Sequence, residues 1–193
     1  IEAARAALNW PHPAFDIPAD ITAQWRAVGC RGEDARATWQ ERHDAHPQAA
    51  MFDAAMRGDV PENFAQAILD WKTALAADPQ NLATRVASQK TLEAILPACP
   101  NLFGGSADLT GSNNTKVGGH SIFDRDNYSG TYIHYGVREH GMAAAMNGIA
   151  LHGGTIPYGG TFMVFTDYCR PSIRLSALMQ QRAIYVMTHD SIG

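Results

Sequence analysis

From Asn81 onward the chain alternates strand-like with helix-like stretches, and this alternation limits the fold more than any other feature. Apolar periodicity predicts a helix over 82–96 and a strand over 102–105 that runs into a glycine turn. A polar loop and a strand over 131–135 come next. A helix over 138–152 rich in small residues, a short extended piece over 155–158, a helix over 166–179 and an apolar strand over 183–188 complete the series. Strands separated by helices imply an α/β fold, a parallel sheet flanked by helices. The first 80 residues have a different texture: helix-like patches broken at "NWPHPAFDIP", "VGCRGED", "AHPQ", "RGDVPEN" and "AADPQN", with no convincing strand. The expected organisation is a helical connector over 1–80 and an α/β domain over 81–193.

Ligands of open parallel sheets collect outside the carboxyl ends of the strands. Four segments fall there: "GGSADLTGSN", "GVREHG", "GGTFMVFTDY" and "HDSIG". None carries GxGxxG, GxxxxGK[ST] or GxSxG, so ordinary dehydrogenase, kinase and hydrolase readings lose ground. A net charge of -4 gives no basic footprint for nucleic acid or an anionic membrane. No stretch reaches the ~18 apolar residues of a membrane helix. Cys30, Cys99 and Cys169 are odd in number and far apart, which argues against a disulfide framework or a zinc site and fits a reducing, cytoplasmic setting. His43 and His46 have metal-like spacing but no further ligands, and are expected at the surface. The chain begins "IEAARAALNW", without Met, and is read as an excerpt of something longer.

In "YIHYGVREHGMAAAMNGIALHGG", Glu139 stands where a strand gives way to a tightly packed helix. Taken alone, an acid there complements the helix dipole or pairs with an arginine. Phe162, Phe165 and Tyr168 recur every third residue, which by itself reads as a core-facing helical stripe.

These segments, together with "TFMVFTDYCRPSIRLSALM" and "THDSIG" in this order, resemble the pyrimidine-binding domain of transketolase. "NWPHPAFDIP" is similar to the connector leading out of that family's diphosphate-binding domain. The resemblance implies the thiamine diphosphate-binding fold and transfer of a two-carbon ketol unit from a ketose phosphate to an aldose phosphate, in the pentose phosphate pathway. It also implies thiamine diphosphate as cofactor, Mg2+ bound by a domain outside this chain, and a homodimer. Glu139 matches the family's catalytic glutamate, which shares a proton with the aminopyrimidine ring nitrogen. Phe165, with Phe162 and Tyr168, matches the aromatic wall around that ring, and Asp108 matches an acid near the cofactor, with a cap or loop role equally open. Arg85, Ser112 and His189 match the residues that hold the sugar phosphate; otherwise Arg85 reads as a solvated helix face and Ser112 as a loop turn. His134, His140 and His152 carry no assigned role. The alternatives are a non-catalytic dimerisation or interaction module, dihydroxyacetone synthase, or deoxyxylulose phosphate synthase.

Overall fold

In the computed structural model, which describes residues 1–190, proline and glycine divide the start of the chain into three helices: α1 (Glu2–Ala7), α2 (Ala19–Cys30) and α3 (Glu33–Asp44). Pro18 precedes α2 at φ -52°, a value its ring fixes in advance, and Gly32 precedes α3. Glu33 and Asp34 in the first turn of α3, with Arg42 and His43 in its last, complement the helix dipole. This unit, Ile1–Ala49, contains no buried residue, so its helices rest on local bonds such as Gln40 Nε2 donating to Asp44 Oδ1 at 2.7 Å. The expected histidine pair divides. His46 is exposed, whereas the side chain of His43 is only 13% exposed because its ring stacks on Trp39 with centroids 5.0 Å apart.

The second unit starts at Ala50. All but the first residue of α4 (Ala49–Arg57) belongs to it, and α4, α5 (Phe64–Ala77) and α6 (Thr84–Ile95) precede the sheet, with Trp71 Nε1 on α5 donating to Thr91 Oγ1 on α6. Then come β1 (Leu102–Ser106), the single turn α7 (Thr110–Asn113), β2 (Tyr132–His134) and α8 (Glu139–His152). The described part ends with β3 (Ile156–Phe162), α9 (Thr166–Leu178) and β4 (Ile184–Thr188). All pairings are parallel, in the order β2-β1-β3-β4. The α/β reading therefore holds, with one correction. The extended piece expected over 155–158 continues to Phe162, so Gly159 and Gly160 belong to the strand rather than to a loop after it.

Packing explains those glycines. A Cβ on Gly159 would stand 2.5 Å from Met146 Sδ, and one on Gly104 2.3 Å from Tyr158 Cζ, so bare backbone lets large side chains lie against the sheet. Tyr158 joins Leu92, Leu96, Leu102, Val117 and Ile156 in one core cluster; Met142, Met146 and Ala107 form a second. The small residues of α8 let it pack closely on β3 and α9.

A buried polar network pins the loop between α7 and β2 to the sheet. Tyr158 Oη donates its one hydrogen to the Thr115 carbonyl at 2.6 Å, so it accepts from His120 Nε2–H at 2.8 Å. His120 Nδ1 then accepts from Thr131 Oγ1 at 2.8 Å. Burial, with Lys116 nearby, holds the His120 pKa below its ordinary value of 6.5. The folded state therefore favours the neutral ring while the unfolded chain takes up the proton more readily. This contribution is complete above the unfolded pKa and is lost as pH falls through the folded one. Urea midpoints of wild type and His120→Gln, compared from about pH 8 to about pH 5, should converge toward the acid end. A gap that stays constant with pH would remove His120 from acid sensitivity.

Candidate functional site

The site forms where the strands end. After β2 the chain turns at Gly136, φ 69°, a conformation that favours glycine, and three residues later α8 begins with Glu139. Arg138 turns back to donate from Nη1 to the Tyr135 carbonyl at 3.0 Å, and the phenol of Tyr135 is pushed up to about 12 by burial. The adjacent guanidinium is thus occupied by backbone. Glu139 is 7% exposed, and its carboxylate makes no hydrogen bond or ion pair among the described residues. Its negative charge reaches Cys169 on α9, whose thiol pKa is raised chiefly by burial and further by Glu139. Without an internal partner, the carboxylate is open to a donor brought by a ligand.

The aromatic residues at the end of β3 do not form a core stripe. Phe162 closes the strand, Phe165 lies in the 3-10 turn Met163–Phe165, and Tyr168 on α9 is 64% exposed. Their rings stack in series: Phe162 on Phe165 at 5.8 Å and 9°, and Phe165 on Tyr168 at 5.8 Å and 20°. Such part-exposed aromatic faces suit a flat ligand ring in offset or edge contact. His189, directly after β4, joins this group with its ring 4.1 Å from that of Phe162. Its backbone is left-handed, φ 58°.

Asp108 is exposed at φ 60°, a region that aspartate tolerates better than most residues, and its side chain caps no helix. Ser112 is exposed on α7, its N–H donating to the Leu109 carbonyl. Arg85 is exposed in the first turn of α6, and no hydrogen bond joins it to Ser112 or His189. Ser191, Ile192 and Gly193 of the "HDSIG" segment lie outside the described residues. The three unassigned histidines separate. His134 Nδ1 lies 3.3 Å from Thr110 Oγ1, His140 Nδ1 3.4 Å from Ser172 Oγ, and His152 Nδ1 3.1 Å from the Gly153 carbonyl. His152 also borders an apolar cleft of about 840 Å³ between Phe52, Met56, Phe103 and Ile149, which none of the sequence-predicted site residues lines.

Sequence reasoning missed the polar support beneath His189. Asn113 is fully buried; it accepts from Ser106 Oγ and donates from Nδ2 to the Thr161 carbonyl and to Thr188 Oγ1. Within the run "TGSNN" nothing marks one asparagine as buried.

Residues 80–193 match the family profile "Transketolase, pyrimidine binding domain". Over the whole chain, the sequence is 55% identical to a transketolase of Cereibacter sphaeroides and 49% identical to one of Sinorhizobium medicae. The chain spans 29% and 28% of the length of these relatives. Among solved structures, it is similar to a transketolase of Pichia stipitis in complex with sedoheptulose-7-phosphate. That match has a TM-score of 0.82 and 37% identity, over 94% of this chain and 28% of the other. No helix among the described residues is long and apolar enough to cross a membrane.

Proposed function

Given that the chain belongs to the family of transketolase pyrimidine-binding domains, we propose that it forms the aminopyrimidine half of a thiamine diphosphate site in a transketolase. That enzyme moves a two-carbon ketol unit from a ketose phosphate to an aldose phosphate, as in the pentose phosphate pathway of the cytoplasm. The observation that carries this reading is Glu139, a buried carboxylate without a hydrogen bond or ion pair among the described residues, at the carboxyl end of the sheet. It fits a ligand that brings its own polar ring nitrogen, and the stacked Phe162 and Phe165 fit the flat ring that would carry it.

Thiamine diphosphate, when bound, supplies the electron sink that the chemistry needs. The residues of this chain do the rest: Glu139 holds a proton against the ring nitrogen, Phe162, Phe165 and Tyr168 fix the ring plane, and Asp108 stands near the cofactor. Arg85, Ser112 and His189 offer guanidinium, hydroxyl and imidazole donors to the phosphate of the sugar. The Pichia stipitis enzyme crystallised with a sugar phosphate supports that substrate class. Among the described residues no group of three or more His, Cys, Asp or Glu could hold a metal ion. On the strength of the family resemblance, we assign Mg2+ and the diphosphate contacts to residues outside this chain, the connector over 1–80 leading from them and the pyrimidine domain starting at 81. The working assembly is a homodimer.

A polypeptide of the relatives' full length that contains this chain should transfer ketol units only when loaded with thiamine diphosphate and Mg2+. The 193-residue chain alone should show no transfer and weak cofactor binding by calorimetry, because a doubly charged diphosphate draws its affinity from metal and donors. No transfer by the loaded long polypeptide overturns the function. Tight binding by the short chain overturns the assignment of the diphosphate contacts elsewhere.

A further inference from the structure

Three hydrogen-bonding groups, the Thr161 carbonyl, Asn113 and Thr188, lead in series to the ring of His189. The Thr161 carbonyl can only accept, so the end of Asn113 that faces it at 3.3 Å is the NH2 group. The other hydrogen of that group goes to Thr188 Oγ1. Asn113 Oδ1 lies 3.1 Å from Ser106 Oγ, whose one hydrogen is shared between it and the Gly160 carbonyl at 3.0 Å, so the Thr161 carbonyl is what orients the amide. Thr188 is 5% exposed, and its hydroxyl has two neighbours among the described residues, Asn113 Nδ2 and His189 Nδ1 at 2.8 Å. Because it accepts from the first, its own hydrogen has one acceptor left, His189 Nδ1.

We infer that Asn113 and Thr188 form a positioning relay that holds neutral His189 as the Nε2–H tautomer, offering a fixed donor to an oxygen of an anionic ligand. The ring has little freedom to escape. It rests on Phe162 at 4.1 Å, and its backbone is held at φ 58°. His189 is exposed and its Nε2 has no partner among the described residues. The ligand class, a sugar phosphate, rests on the function proposed above, whereas the tautomer does not.

The test is the 15N spectrum of histidine-labelled protein near pH 8, with His189 assigned by the signal lost in His189→Gln. Wild type should show a single tautomer, Nδ1 unprotonated and Nε2 protonated. Asn113→Asp keeps the shape but replaces the donor with an acceptor. It should draw the Thr188 hydrogen inward and invert the His189 tautomer to Nδ1–H, although neither Thr188 nor His189 has changed. Thr188→Ser should preserve the wild-type tautomer and Thr188→Val should relax it to a mixture, neither of which a purely structural role would produce.

A mixed tautomer in wild type overturns the relay, as does a folded Asn113→Asp with the wild-type tautomer. If circular dichroism shows Asn113→Asp unfolded, Thr188→Val decides, and a single tautomer retained there also overturns it. The phosphate reading is judged separately. Inversion in Asn113→Asp with equal KM changes, measured in a polypeptide of the relatives' full length, for a phosphorylated aldose and its phosphate-free counterpart supports the relay and overturns the phosphate ligand. A larger KM rise for the phosphorylated sugar supports both.

Discussion

Glu139→Gln, made in the polypeptide that completes the cofactor site, should lower kcat by about 10²–10⁴ while leaving the fold intact. Glutamine preserves the side chain's shape and length, so packing at the start of α8 is unchanged. What it cannot do is share a proton with a ring nitrogen. The loss therefore falls on the acid–base step and not on binding of the ring between the aromatic residues. Stability should change little, since the residue is 7% exposed and its carboxylate makes no internal hydrogen bond or ion pair among the described residues. The substitution breaks no internal contact. Two measurements separate the catalytic role from a structural one. Exchange of the cofactor's C2 proton for deuterium should slow in parallel with kcat, and the thermal midpoint should be equal to that of wild type or above it. Exchange at the wild-type rate would remove Glu139 from proton transfer; a large drop in midpoint would make it a structural acid.

The sequence makes α8 and the order of strands legible because each carries its own periodicity: small residues at helical spacing after Arg138, short apolar runs at β1 and β4. The end of β3 is hidden in the sequence for a physical reason. Gly159 and Gly160 look like turn residues, yet they are glycines because Met146 Sδ and Thr115 Cγ2 would lie 2.5 and 2.6 Å from any Cβ there. That requirement comes from tertiary neighbours and leaves no local mark. The aromatic triplet misleads in a similar way, since its three-residue spacing crosses a strand end, a 3-10 turn and a helix start, where one helical period has no meaning. Polar support was the hardest part to foresee. Asn113 and Thr188 are 75 residues apart, and Tyr158 and His120 are 38 apart, so only the assembled sheet brings each pair to hydrogen-bonding distance. The roles proposed for Arg85 and Ser112 rest on family resemblance alone, because an exposed arginine on a helix and an exposed serine in a turn have ordinary explanations.

Arg85 therefore supplies the other large effect. Its guanidinium is exposed and unpaired among the described residues, so Arg85→Ala breaks no internal hydrogen bond and should leave stability within the usual range for a surface change. If it holds the sugar's terminal phosphate, the contact is remote from the reacting carbonyl and is made equally in ground and transition states. Such uniform binding appears in KM and not in kcat. A charge-assisted hydrogen bond contributes about 1.5–3 kcal/mol, which corresponds to a rise in KM of roughly ten- to a hundredfold for phosphorylated aldoses. Unphosphorylated acceptors should be nearly unaffected, and affinity for thiamine diphosphate should be the same as in wild type. The informative experiment is paired: wild type and Arg85→Ala, each with a phosphorylated aldose and with its phosphate-free counterpart. The ratio of the two KM changes cancels any general disturbance of the site, which would weaken both sugars alike. A rise confined to the phosphorylated sugar assigns the guanidinium to phosphate, whereas equal losses on both return Arg85 to the solvated face of α6.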